Sequence, residues 1–318
     1  MPDPVSGLTP SAGLTPPRDV VAPVSDAAQG LTIESRGQLR LALERFVHHR
    51  LALASLIVFV LLLLVSTIGP LFWHYSFTAI TNQFATAPSA QHPFGTDLIG
   101  HDLFAQAMEA EATSVKTAVL VAVIATAIGT MIGAVAGYYG KLADALLMRF
   151  TDLILAVPLL AILLVLSSKL SKQAGSWLFT ALILGFVLWT NLARQVRGSF
   201  LSLREREFVE AEHAIGASDR RIIFRHMIPN AVGPIIVSAT LTVALAILIE
   251  AVLSFLGLGI QPPEVSLGSL IASGQDAAAT LPWLFFFPAG LLVITILSVN
   301  FIGDGLRDAL DPAQRAHR

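Results

Sequence analysis

Residues 117–138 read TAVLVAVIATAIGTMIGAVAGY, a run without a single charged side chain. A helix of about 20 apolar residues spans the hydrocarbon of a bilayer, so this run is long enough to cross a membrane. Five further runs of the same kind lie around it, at 51–73, 150–168, 177–193, 230–256 and 282–303, and the six together hold only two charged residues, Asp152 and Glu250. The chain as a whole has 318 residues, 54% hydrophobic and 13% charged, where soluble globular domains carry about 25% charged residues. The deficit is gathered into spans and not spread through a core. An all-α polytopic membrane protein with six transmembrane helices is therefore expected.

Basic residues orient it. With the N-terminus in the cytoplasm and the spans alternating, only Lys116, Lys169 and Lys172 of the 20 Lys and Arg residues fall outside. That bias predicts cytoplasmic N and C termini. Residues 1–38 form a leader carrying Pro2, Pro4, Pro10, Pro16, Pro17 and Pro23 among small polar residues; such a composition buries no core and is expected to be disordered. It also lacks the basic-then-apolar order of a cleavable signal peptide. A short cytoplasmic segment and the first span occupy 39–73, an external segment 74–116, and the remaining transmembrane core 117–312, with a cytoplasmic loop at 194–229 and a tail at 313–318.

Several function classes are excluded by what the chain contains. It has no cysteine, hence no disulfide framework, thiolate metal site or cysteine nucleophile. A net charge of -2 gives no nucleic-acid footprint. The eight histidines show no ligand spacing, and His48-His49 reads as a membrane-interface pair and not as a metal site. No metal and no cofactor is expected. The string nearest to a phosphate-binding loop, Gly137-Tyr138-Tyr139-Gly140-Lys141-Leu142, has the wrong spacing and no hydroxyl after its lysine. The chain is therefore not expected to be an enzyme.

The loop 194–229 carries the most information. From Arg204 it continues through Glu210, Ala211, Glu212, Gly216, Ser218 and Asp219 to Ile228-Pro229. Phe208, Ala211 and Ile215 fall at helical spacing and give one apolar stripe on a charged helix. Gly216 closes that helix, because glycine takes φ > 0 without steric cost. Ser218 offers an N-cap to a second helix, and Asp219 puts negative charge on its first turn. Pro229 stops the second helix where the fifth span begins. These residues by themselves leave two readings open: a rigid peg offered to a cytoplasmic partner, or a solvated connector between spans.

Glu210-Ala211, Gly216 and Ile228-Pro229 resemble the EAA motif of ABC-importer membrane subunits, with Glu212 in place of a second alanine and Ile228 in place of leucine. Further stretches resemble one branch, the C-type permease subunits of oligopeptide and dipeptide importers. His92-Pro93-Phe94-Gly95-Thr96-Asp97, Gly100 and Asp102 are similar to its external signature, with His101 where arginine is usual. Asp144, Met148-Arg149, Asp152 and Pro158 are similar to its third-span entry. Glu250, Leu253-Ser254-Phe255-Leu256-Gly257-Leu258-Gly259 with Pro262-Pro263, and Gly303-Asp304-Gly305-Leu306-Arg307-Asp308, are similar to its fifth-span end and its tail. The resemblance covers roughly residues 40–312.

This resemblance implies the type I ABC importer permease fold, in the bacterial cytoplasmic membrane, and a peptide cargo. It implies as partners a homologous second permease subunit forming a heterodimer, two cytoplasmic ATP-binding subunits, an extracytoplasmic solute-binding protein and membrane lipid, with no nucleic acid. The EAA loop is then the coupling helix, with Glu210, Ala211, Ala214, Gly216, Ala217, Ile228 and Pro229 as its ATPase-coupling residues. Related permeases carry haem, nickel chelates or glutathione. A secondary transporter or channel without an ATPase is the alternative of another class; it needs intramembrane acids or broken-helix repeats for ion coupling.

Other residues invite assignment. Gly129, Gly133 and Gly137 form a doubled small-x-x-x-small ridge, suited to close helix packing or to lining a path. Glu250 is an acid deep in a span, where charge costs at least ~2.5 kcal/mol; it is a candidate for a pathway, a subunit interface or a structural hydrogen bond. Arg149 and Asp152 have the spacing of a helical ion pair. Pro158 and Pro234 are placed to kink their spans. Asp97, His101 and Asp102 read as loop structure or as a surface for external docking.

Overall fold

The computed structural model describes residues 38–162, 165 and 175–310. The proline-rich leader, apart from Gln38, and the tail 313–318 lie outside them. Along the described residues run α1 (Gln38–His48), α2 (Arg50–Phe72), α3 (Leu103–Tyr139), α4 (Lys141–Ala156), α5 (Trp177–Arg204), α6 (Glu207–Ala214), α7 (Asp219–Phe255), α8 (Leu267–Gly274) and α9 (Trp283–Leu310), and residues 159–162 are helical as well. Five of these, α2, α3, α5, α7 and α9, are long and apolar enough to cross a membrane. The third expected span, 150–168, is helical to Ala156 and breaks at Val157-Pro158. Much of its remainder, 163–164 and 166–168, lies outside the described residues.

The helix ends differ from the charge-based boundaries for a simple reason. Helices are stopped by capping and turn chemistry, whereas charge marks only where lipid contact becomes costly. Asp102 caps α3 by accepting the Ala105 amide at 2.7 Å, so this helix begins inside the expected external segment 74–116 and reaches Tyr139 without a break. At 37 residues it is about 55 Å long, well beyond the ~30 Å of hydrocarbon. Likewise α5 continues past residue 193 to Arg204, carrying the start of the expected loop 194–229 on a membrane helix.

The central packing joins α3 to α5. Cβ atoms added to Gly133 would lie 2.5 Å from the Ala193 carbonyl oxygen and 2.8 Å from Val196 Cβ; at Gly129 the nearest atom is the Trp189 carbonyl oxygen at 2.8 Å, and at Gly137 it is Phe200 Cβ at 2.5 Å. The glycine ridge is thus filled by the backbone of α5 in the same chain. It lines no path. Around it Val121, Ala125, Leu184, Trp189, Ile247 and Val299 form the main apolar cluster between α3, α5, α7 and α9. The outer faces stay apolar and exposed, as at Leu61, Leu64, Leu71 and Phe72 on α2, which is how helices meet lipid.

Two ion pairs tie α4 to α5. Arg197 grips both carboxylate oxygens of Asp144, one of them through Nη2 at 2.6 Å, and Arg194 reaches Asp152 at 2.6 Å. The expected Arg149–Asp152 pair within one helix is not the one formed. Arg194 lies on the neighbouring helix, and its long side chain brings its charge to Asp152 across the gap.

Candidate functional site

The site is the element that follows α5 and leads into α7. It is built on an apolar platform in which Phe200, Val209, Ile222, Ile223, Met227 and Ala231 are buried together with Tyr138 and Val196. Val209, at 1% exposure, is the anchor of α6, and Phe208 packs beside it. Of the expected stripe Phe208, Ala211 and Ile215, only Phe208 turns toward the platform. Ala211 is exposed, and Ile215 is 75% exposed. The outward face of α6 therefore presents Glu210, Ala211, Ala214 and Ile215, an apolar strip rimmed by acid.

The turn after α6 is tightly specified. Gly216 has φ +79°. Its amide donates to the His213 carbonyl at 3.0 Å, and the Ala217 amide to the Glu212 carbonyl at 3.0 Å. This is the paired closure of a helix on a left-handed residue. Ser218 occupies the N-cap position of α7, but its hydroxyl makes no capping bond. Asp219 is the residue engaged there: its Oδ1 accepts the Tyr138 hydroxyl at 2.8 Å. Glu212, which stands where the motif has alanine, lies 3.2 Å from His226 Nε2, so the added carboxylate faces α7 and not solvent alone.

Pro229 does not stop the helix. Residues Ile222–Met227 form a π-helical segment and run directly into the α-helical part of α7, with Pro229 in its first turn. A proline in a helix interior lacks an N–H and crowds the preceding turn. A wider turn just before it, in which the Ile228 amide reaches back to the Ile223 carbonyl, provides the room. Among the expected coupling residues, Glu210, Ala211, Ala214, Gly216 and Pro229 lie on the surface, while Ala217 and Ile228 are half-buried against the platform.

At the other end of the molecule the polar residues are structural. Asp102 is fully buried: it caps α3, accepts the Trp73 indole N–H at 3.0 Å and pairs with His92 Nδ1 at 2.7 Å. It cannot be a docking contact, because no atom of it reaches the surface. Asp97 Oδ1 accepts the amides of Ile99, Gly100 and His101, and Oδ2 lies 2.8 Å from His101 Nδ1. Asp97, His101 and Gln106 border a cavity of about 520 Å³ that is also lined by Phe255, Pro262 and Glu264.

Glu250 is also fully buried. It accepts hydroxyls from Ser254 at 2.6 Å and Ser114 at 3.0 Å, and Ser114 in turn accepts the Leu267 amide at 3.2 Å. This knot binds α7, α3 and α8, and it gives Glu250 no open path to face in this chain. A second acid, Glu111, escapes the charge-counting of spans because it precedes residue 117; it is 2% exposed and accepts the Thr295 hydroxyl of α9 at 2.8 Å. Replacing Glu250 with alanine leaves buried hydroxyls without acceptors. A loss of about 1–3 kcal/mol is expected, measured as a lower melting temperature in detergent, with Glu250→Gln closer to wild type because one acceptor oxygen remains.

A family model described as "Binding-protein-dependent transport system inner membrane component" matches residues 129–316. A second, "N-terminal TM domain of oligopeptide transport permease C", matches residues 37–93. The chain is 43% identical over 279 residues to the oligopeptide transport system permease protein OppC of Mycobacterium tuberculosis, covering 87% of this chain and 96% of that one. It is 38% identical over 276 residues to the protein of the same name from Bacillus subtilis, covering 86% and 89%.

Proposed function

Because this chain belongs to the family of binding-protein-dependent transport system inner membrane components, we propose that it is the membrane permease subunit of an ATP-driven importer of di- and oligopeptides. In this reading it pairs with a second, homologous permease. Two cytoplasmic ATP-binding subunits dock beneath the pair, and an extracytoplasmic binding protein delivers solute from above. The run 150–168 completes six spans, and both termini lie in the cytoplasm, as the distribution of basic residues favours.

One observation carries the proposal. The helix α6 is seated by Val209, closed by Gly216 and continuous through its flanks with two membrane helices, yet it leaves Ala211 and Ile215 facing outward. An exposed apolar strip on a rigid cytoplasmic projection suits insertion into a groove on a partner. Closure of the paired ATPases then draws two such projections together and tilts the helices as rigid bodies, opening the cavity to the opposite side of the membrane. Glu210, Ala211, Ala214, Gly216, Ala217, Ile228 and Pro229 are the residues assigned to that contact and its support. The peptide cargo rests on the similarity to the oligopeptide permeases of Mycobacterium tuberculosis and Bacillus subtilis.

The test is uptake of labelled di- and oligopeptides into liposomes holding the full complex, with and without ATP. Uptake is expected only with ATP, the ATPase subunits and the binding protein together. Competition by haem, a nickel chelate or glutathione in preference to peptide would move the cargo assignment. Transport by the purified chain alone, with no ATPase, would sink the coupling role altogether.

A further inference from the structure

We propose that Tyr138 is a positioning residue, the strut that transmits movement of the cytoplasmic loop into the membrane helix α3. The inference rests on the importer reading above and concerns how force crosses the chain. Tyr138 lies next to the C-terminal end of α3 and touches each of the three helices that build the loop. Its carbonyl accepts Arg204 Nη1, at the end of α5, at 3.2 Å. Its ring stacks on His213 of α6 with centroids 6.2 Å apart and planes at 21°. Its hydroxyl donates to Asp219, on the first turn of α7, at 2.8 Å. The side chain is 6% exposed and passes through the apolar platform, so its hydroxyl is the polar tip that emerges where Asp219 waits.

The need for a strut comes from α7 itself. Between Asp219 and the membrane part of α7 lie the six π-helical residues Ile222–Met227. π-helical turns are rare and occur mostly as single turns inserted into α-helices, and such an irregular stretch partly absorbs a push on the loop. The Tyr138–Asp219 bond offers a parallel route that bypasses this segment. It enters α3, which is locked to α5 through Gly129, Gly133 and Gly137. The pair then moves as one body.

The experiment uses the full complex in liposomes and reads peptide taken up per ATP hydrolysed. Tyr138→Phe removes only the hydroxyl and keeps the ring in the platform. Its transport per ATP is expected to fall about fivefold, the low end for coupling between sites, with ATPase co-purification and melting temperature unchanged. Asp219→Ala should match it, the double variant should be no worse than either single one, and Asp219→Asn, which keeps an acceptor oxygen, should recover much of the loss. An unchanged ratio in Tyr138→Phe overturns the proposal, and so does a double variant whose losses multiply. A parallel fall in melting temperature and ATPase retention at constant ratio assigns Tyr138 to stability alone. Loss of ATP dependence in the wild-type complex is a different outcome, and strikes the importer reading instead.

Discussion

Gly216→Val is expected to insert normally into the membrane and yet lose at least about tenfold in ATP-driven uptake, the equivalent of ~1.4 kcal/mol of coupling. The cause is conformational. Gly216 sits at φ +79°, where a β-branched residue is a backbone outlier that costs on the order of 1–3 kcal/mol to hold. Relieving that strain rotates the turn and breaks the two amide bonds to His213 and Glu212 that close α6. Among the described residues, apart from its two chain neighbours, no atom lies within 4 Å of a Cβ placed there, so the cost is that of the backbone and not of crowding. Gly216→Asn separates the remaining causes, since asparagine accepts left-handed backbone. Recovery in the Asn variant assigns the defect to the turn; failure of both variants assigns it to a partner surface that fills the empty space. Full uptake by Gly216→Val would falsify the coupling role. Substitution of exposed Glu210 should shift uptake in the same direction by less.

The second large effect is on assembly of the chain itself. Gly133→Leu is expected to leave little folded protein in the membrane, and Gly133→Ala to lower the melting temperature in detergent. Even a methyl group at this position meets the Ala193 carbonyl oxygen at 2.5 Å and the Arg197 amide nitrogen at 3.0 Å. These are backbone atoms, which cannot rotate aside, so α3 and α5 must separate. Overpacking of this kind costs about 1–3 kcal/mol where side chains can adjust, and more is expected against a backbone. Gly198→Ala on α5 is the control. Among the described residues, nothing beyond its own turns of helix lies within 4 Å of its Cβ, so it should be neutral or slightly stabilising, as alanine favours helix over glycine by roughly 1 kcal/mol. A Gly133→Ala variant with normal stability and a transport defect would instead return the ridge to the translocation path.

The two glycines show how differently sequence speaks about its own parts. The spacing of Gly129, Gly133 and Gly137 announced a close contact but not its partner, because small-x-x-x-small packing is indifferent to which helix comes near. The turn at Gly216 was legible in full, since helix closure is a local matter of φ and of amides a few residues away. Ser218 and Pro229 misled for the complementary reason. Their local preferences, an N-cap hydroxyl and a helix stop, were not realised: Tyr138, distant in sequence, supplied a bond to Asp219, and the π-helical turn just before the proline made space for it within a continuous α7.

Electrostatics divides along the same line. Arg149 and Asp152 had helical spacing, yet Asp152 is taken by Arg194 across an interhelical gap. Asp102 was expected as a possible contact for an outside partner and is fully buried under Trp73 and His92. A charged side chain's partner depends on which elements the fold brings within reach, and linear order does not contain that.

What the amino-acid sequence determined alone is the class of molecule: uncharged runs too long for a soluble core, charges kept to the segments between them, and a glycine-closed loop between two spans. Each follows from solvation and short-range backbone geometry, which act residue by residue. Tertiary structure alone decided that the glycine ridge faces α5 and that Glu111 and Glu250 are held in buried hydrogen bonds. It also decided that Ile215 points outward, and that Tyr138 gathers α5, α6 and α7 at the end of α3. Those facts depend on contacts between residues as many as 184 positions apart, and only a folded chain sets them.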